Sequence, residues 1–538
     1  MKQFKTFALV LTVVVALVLC RYLPEIVVGG HKMRAVNLFE GVQKESVAQA
    51  KEPEKVWEEE PVMEEEGIPD KEESAESETL AEDSVSENPE ETEPNLIQES
   101  EPEVADTLST LQPEMAEDFR NSGIQGLPKA VETQSAQDAP EEGPVLLDPD
   151  TLMAVDPDKI LDFSISGRGM EPFYEALSRL ENNPGQVNRP VRVAYFGDSY
   201  IQGDMFSGEF RALLQERFGG SGAGWVDMTS ICNYFRRTVR HEFKNWRRHL
   251  STDTTGFSSR LQGISNSYHQ PYNGAWTELS GQDKYLHHLD SAGMSALYFR
   301  APCGGTVRAV VNGSETETFE LDSIPSVQSL MVRGGIRSVR WEVTNVTDSM
   351  IFYGASMDPA VGVTVDNFSL QGSSGTPLGR IPIQTLRQLG AVRQYDLIVL
   401  QFGLNVAYSG RKNYERYVEQ MSSVIEKMKL AFPTAGILVV GVSDRAVRGE
   451  GGKMVTMSSI RYLMASQRFL AEKCDVAFWN LYKAMGGEGS IAKLVSASKA
   501  NYDYTHINFN GAQDLAQIFY DAVIEGYEAY IGGEIGLE

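Results

Sequence analysis

Apolar and polar positions change rhythm several times along the chain. Residues 7–20 are almost all apolar, with Lys2 and Lys5 before them and Arg21 directly after. From about 36 to 144 apolar periodicity vanishes. Glu, Ser, Pro and Thr dominate there, so the stretch cannot bury enough apolar surface to offset its chain entropy. Patterned sequence begins near Leu146. The spacing predicts a helix over 173–180, a loop at Asn182-Asn183-Pro184-Gly185, and a buried strand over 191–196 that runs into Gly197-Asp198-Ser199. A helix over 206–218 follows and stops at Gly219-Gly220.

Between about 232 and 368 the rhythm becomes that of short strands. Residues 296–299, 307–311 and 338–343 read as strands, and Asn312-Gly313 supplies a hairpin turn. This region is expected to be an all-β sandwich inserted into another domain. Longer apolar strands return at 397–402 and 436–441, the kind covered on both faces of a parallel sheet. A helix over 414–430 separates them, and another over 511–531 closes the pattern. No internal repeat is evident. The expected plan is therefore an N-terminal signal or anchor (1–30), an extended acidic linker (31–145), and an α/β domain in two parts (146–231 and 369–538) around a β insert (232–368).

Charge sharpens the first two segments. Residues 51–104 hold 22 Asp and Glu against 3 Lys, which places −19 of the net −27 there and leaves −8 elsewhere. Such a tract repels itself and nucleic acid alike, so no nucleic-acid partner is expected. The apolar run at 7–20 has the length of a signal-peptide core, but no small-x-small cleavage site follows it. Tyr22 and Arg21 suit the headgroup level. An uncleaved anchor is the preferred expectation, which implies membrane association and a periplasmic or cell-envelope location. Of four cysteines, Cys20 lies in that run. Cys232 and Cys303 are candidates for a pair in an oxidising compartment, while buried structural thiols are the simpler reading for Cys232, Cys303 and Cys474.

Candidate chemistry gathers at strand ends. Ser199 stands where a buried strand gives way to a helix, the edge at which open α/β sheets place ligands. Asp503-Tyr504-Thr505-His506 sets a carboxylate one turn before an imidazole, and of the seven histidines only His506 has an Asp at this offset. A general base must take a serine proton, and a carboxylate must orient that base. Gly403-Leu404-Asn405 follows the strand at 397–402, placing an amide donor at its carboxyl end. Gly372, in Ser369-Leu370-Gln371-Gly372-Ser373, offers a backbone N–H in the same way. His287-His288 lacks a carboxylate or thiol at ligand spacing, so neither metal nor cofactor is assigned. Arg236, Arg237, Arg240, Lys244, Arg247 and Arg248 around Trp246 read either as a solvated face or as a contact for an acidic glycan or the acidic linker. Tyr268, Tyr272 and Trp276 suit packing as well as stacking on sugar rings.

Taken in order, Gly-Asp-Ser, a glycine loop, Gly-x-Asn and Asp-x-x-His, the chain resembles the SGNH/GDSL hydrolase family. The resemblance spans about 191–224 and 362–523, interrupted by the β insert. It implies a flavodoxin-like three-layer α/β/α domain. Ser199 would be the nucleophile, Asp503 and His506 would complete its triad, and the Ser199 N–H, the Gly372 N–H and the Asn405 amide would form an oxyanion hole. Gly197-Asp198-Ser199-Tyr200-Ile201-Gln202-Gly203-Asp204 and the β-module inserted between the first two motifs are similar to those of bacterial peptidoglycan O-acetylesterases and related glycan deacetylases, and the inserted sandwich resembles a carbohydrate-binding module. Leu404 and Val406 depart from the polar residues that often flank the asparagine, which bears on sub-family specificity. The implied activity is removal of O-acetyl groups from an acetylated envelope polysaccharide, peptidoglycan first. An O-acetyltransferase would use the same triad, and a glycan-binding scaffold would need none of it.

Overall fold

The computed structural model describes residues 159–533 and two short paired strands, Val27–Val28 and His31–Lys32. The expected membrane anchor, the body of the acidic linker and the onset of order near Leu146 lie outside the described residues. The chain divides into two compact units, 1–141 and 142–538, and the second carries the elements that follow. Among the described residues no helix is long and apolar enough to cross a membrane.

One sheet has six strands in the order Val363–Ser369, Val191–Gly197, Leu397–Gln401, Gly436–Val440, Ala477–Trp479 and Leu161–Asp162. The first five run parallel and the last antiparallel. Numbered by chain position, the parallel five stand in the order 2-1-3-4-5. The order reverses between Val191–Gly197 and Leu397–Gln401, and a doubly wound sheet opens its ligand crevice at the carboxyl ends of such strands. The loops bearing Ser199 and Asn405 leave from those two ends. Both strands are buried along their whole length, as their mostly apolar sequences suggest, with Arg192 and Gln401 the polar exceptions.

Helices Glu171–Asn182, Met205–Phe218 and Phe509–Gly532 pack against one another. Ile383–Val392, Glu415–Ala431 and Ser459–Lys473 form a second contacting series. The C-terminal helix is held by aromatic rings: Phe519 lies 4.7 Å from Phe210 and 4.7 Å from Trp479, centroid to centroid. Its N-terminus is capped by the Asn508 side chain, which accepts from the N–H groups of Asn510 and Gly511. That cap stands two residues beyond His506.

The inserted region is wholly antiparallel, with a hydrophobic core of its own around Leu297, Trp341 and Phe352. Hydrogen bonds join its nine strands into one network, so pairing does not divide it into the two sheets expected of a sandwich. The hairpin at Asn312-Gly313 is present, with φ of 52° and 73° at the two residues. The expected boundaries at 232 and 368 shift at both ends. Gly224–Asp227 pairs with Ile351–Asp358 in the insert's network, whereas Val363–Ser369 pairs with the nucleophile strand in the parallel sheet.

The reason for the second shift is a buried charge cluster. Polar residues in Val363–Ser369 suggest a strand with one wet face, but Asp366 is fully buried and accepts from Arg393, Tyr395 and the Trp225 N–H. Arg393 also grips Asp358, the end of the insert's last strand, at 2.6 and 2.9 Å. One guanidinium thus ties the insert to the parallel sheet. Where the chain returns from the insert, Gly362 lies so close to Gly219 and Gly220 that a Cβ would meet their backbone at 2.5 Å, and its φ of +116° also favours glycine.

The three described cysteines are unpaired. Cys232 and Cys474 are buried and Cys303 is exposed, so the Cys232–Cys303 pair is not formed and Cys303 is not the buried thiol expected of it.

Candidate active site

Ser199 opens a short 3-10 turn, Ser199–Asp204, at the end of the nucleophile strand. The preceding Asp198 caps that turn, its carboxylate accepting from the Tyr200 N–H at 3.0 Å. Ser199 is half-buried, with its hydroxyl directed at an imidazole from the far end of the chain: Oγ lies 2.7 Å from His506 Nε2. His506 Nδ1 lies 2.7 Å from Asp503 Oδ2. The second Asp503 oxygen accepts from the N–H groups of Thr505 at 2.9 Å and His506 at 3.0 Å. Burial raises the pKa of the Asp503 carboxyl, but these hydrogen bonds, led by the one from the His506 ring, outweigh it and hold the group below its ordinary value. An ionised Asp503 makes Nδ1 the protonated nitrogen and leaves Nε2 free to accept from Ser199.

The Asp-x-x-His loop is clamped. The Asn501 N–H donates to the His506 carbonyl at 2.8 Å, and the Ala446 N–H to the Tyr504 carbonyl at 3.0 Å. Tyr504 itself adopts a left-handed φ of 53°, a local strain that the surrounding hydrogen bonds maintain.

Asn405 follows Leu397–Gln401 as expected, but its amide is engaged at rest. Nδ2 donates to the Ser373 carbonyl at 2.9 Å and to Asp198 Oδ2 at 3.3 Å. The second contact is the longer of the two. Gly372 sits on an exposed turn after Val363–Ser369, with φ of +76°, and its N–H donates to no protein acceptor among the described residues. That turn is fixed to the nucleophile strand by the Leu370 N–H, which donates to the Gly197 carbonyl at 3.0 Å. The structure therefore joins Ser199, His506 and Asp503 directly. It ties Asn405 to Asp198, the residue before Ser199, and it places Gly372 two positions beyond a strand-edge contact.

Several supporting residues carry no motif. Gln467 braces the Asn405 loop from both sides, donating to the Phe402 carbonyl at 2.6 Å and accepting from the Val442 N–H at 2.8 Å. Asp198 is fully buried, and burial lifts its pKa to about 6 against the opposing pull of the Tyr200 N–H, the nearby His506 and the Leu404 N–H. Asp204 is equally buried, yet Arg211, Arg236 and the Ser207 hydroxyl outweigh desolvation and lower it to about 2. The position of Asp198 within Gly-Asp-Ser was a visible signal for it. Nothing in the sequence marked Gln467. Among the described residues no group of three or more His, Cys, Asp or Glu side chains is arranged to hold a metal.

A serine, an imidazole and a carboxylate linked at the carboxyl edge of an α/β sheet agree with the resemblance of the motifs to SGNH/GDSL hydrolases, and the fold has a solved counterpart. Among solved structures it is similar to a peptidoglycan O-acetylesterase, with a TM-score of 0.58 and 20% identity over 69% of this chain and 99% of that one. Weaker likenesses include a family two carbohydrate esterase from Clostridium thermocellum in complex with cellohexaose (TM-score 0.23, 11% identity, 53% of this chain and 100% of that one). A structure from Parabacteroides merdae given the name GDSL-like lipase has a TM-score of 0.23 and 18% identity over 31% of this chain and 74% of that one. No family model matches the chain, and no curated protein matches it.

Proposed function

We propose that the chain is a serine esterase that removes O-acetyl groups from a cell-envelope polysaccharide, with peptidoglycan the leading candidate. The observation that carries this reading is the unbroken relay from Ser199 Oγ through His506 to Asp503, with both links at 2.7 Å. A structural role needs no such alignment.

Ser199 Oγ attacks the ester carbonyl carbon as its proton passes to His506 Nε2, and the carbonyl electron pair moves onto oxygen. The resulting oxyanion is held by the N–H groups of Ser199 and Gly372 and by the Asn405 amide once its contact with Asp198 yields. Collapse re-forms the carbonyl and breaks the bond to the sugar oxygen, which takes the proton from His506. A water molecule then gives a proton to His506 and attacks the acetyl-enzyme, releasing acetate and restoring the Ser199 hydroxyl. Asp503 keeps the imidazole oriented and stabilises its charged form.

Three further readings complete the proposal. The two helix series cover opposite faces of the parallel sheet, making three layers. The β insert is a sandwich-like module that presents glycan to the site, which its fixed junction at Arg393 supports. Residues 1–30 and 31–145 anchor and tether the enzyme at the envelope, a role suited to an apolar run followed by a self-repelling acidic tract. The test is acetate release from O-acetylated peptidoglycan by the full chain. The expected result is release by the native protein and none by Ser199→Ala; release by both would remove the reading.

A further inference from the structure

The basic run around Trp246 separates into residues with different occupations. Arg236 is committed, donating to Asp204 Oδ2 at 3.1 Å and to the Trp225 carbonyl at 3.4 Å. Arg237 covers the Phe509 ring, with its guanidinium carbon 3.6 Å from the centroid. Arg240, Lys244 and Arg247 are exposed. Arg248 differs from all of these. It is half-buried, its side chain has no ion-pair or hydrogen-bond partner among the described residues, and it lines a cavity of about 240 Å³.

That cavity adjoins the catalytic edge of the sheet. Its wall includes Gln202, three positions after the nucleophile, and Ser369 and Gln371, which lead to Gly372. Ser369 pairs with Gly197 on the nucleophile strand. The cavity's other polar groups are largely occupied. Asn367 donates to the Ile201 carbonyl and to Ser207 Oγ, at 2.8 and 2.7 Å. Asp227, the carboxylate in the wall, accepts from Trp225 Nε1 at 2.8 Å and from the Ser267 hydroxyl at 3.4 Å. Burial also pushes the Asp227 pKa up, against the hydrogen bonds from Trp225 and the serines. A guanidinium partly removed from water, lining a cavity whose one carboxylate is already held by Trp225 and Ser267, matches a planar oxyanion, since its fork of N–H donors pairs with both carboxylate oxygens.

We propose that this cavity is a subsite for a carboxylate carried by the glycan next to the ester, with Arg248 as its receptor. The inference rests on the esterase reading and narrows it to acidic glycans. The carboxylate has two chemical sources: a uronic acid ring, or the lactyl ether of a muramyl sugar.

The test uses the full chain with Ser199→Ala, so that acetyl groups stay in place, and calorimetric titration with two acetylated oligosaccharides. One carries uronic acids and the other muramyl residues, and each is compared with its carboxyl-reduced form. At least one acidic ligand is expected to bind roughly 10-fold to 100-fold more tightly than its reduced form, as for a charged hydrogen bond. Adding Arg248→Ala should erase that difference, and adding Arg248→Lys should restore part of it. Whichever ligand shows the effect identifies the source. Equal binding of acidic and reduced forms to the Arg248 protein would overturn the proposal, and that comparison does not depend on any Arg248 variant folding. Turnover of p-nitrophenyl acetate by the native chain separates the two claims. If turnover is absent while charge-dependent binding persists, the esterase reading falls and the subsite stands; turnover without charge preference gives the reverse.

Discussion

At the scale of single residues, Asp198 shows how the site is balanced. The nucleophile turn needs a cap, and the sheet edge buries that cap completely, so its carboxyl titrates near 6 instead of near 3.8. A carboxyl whose pKa is raised on folding contributes stability that is fully present below its unfolded value and is lost as pH rises through its folded value. The stability of the native protein minus that of Asp198→Asn should therefore fall by up to about 3 kcal/mol between pH 4 and pH 7, read by denaturant unfolding at each pH. A flat difference would show that Asp198 is not desolvated as described. Asn405→Ala should lower kcat by about 10²–10³-fold if its amide turns from Asp198 to the oxyanion. An unchanged kcat would leave the amide as a loop brace only. Asp503→Asn leaves the imidazole in the wrong tautomer, and a drop of about 10⁴-fold in kcat is expected from steady-state kinetics.

At the scale of elements, the strongest single wedge is the C-terminal helix, which delivers His506. Phe519 is wholly buried against Tyr195, Phe206, Phe210 and Trp479. Phe519→Ala should cost about 3–5 kcal/mol by chemical denaturation, and a loss below 1 kcal/mol would mean that the helix is not seated there. The same helix was legible in the sequence over 511–531 from its long apolar period, while its cap at Asn508 and its first turn were not marked. The buried strands at 191 and 397 were legible for a similar reason, since a nearly continuous apolar run, broken by Arg192 in one and closed by Gln401 in the other, belongs inside. The strand at 363 was not. Asp366 and Asn367 look like surface residues until Arg393, on a different element, supplies the partner that lets Asp366 be buried. Gln467 was invisible because a lone glutamine on a helix carries no pattern. Asn405 was placed correctly on its strand end, but its resting contact with Ser373 depends on how two loops meet, which spacing does not encode.

At the scale of the whole molecule, the site exists only because the chain closes over a separation of 307 residues between Ser199 and His506, with the β insert lying inside that interval. Residues 142–538 form a compact unit apart from 1–141. A chain of those residues alone should keep the thermal midpoint and ester turnover of the full protein; loss of either would show that the first unit supports the fold. In the proposed reaction Ser199 Oγ is the atom that carries the acyl group. Full-length protein mixed briefly with p-nitrophenyl acetate, quenched in acid and digested, should show one added acetyl group by mass spectrometry, on the peptide containing Ser199 and on its hydroxyl. Acetyl found only on another residue, or turnover surviving in Ser199→Ala, would contradict it.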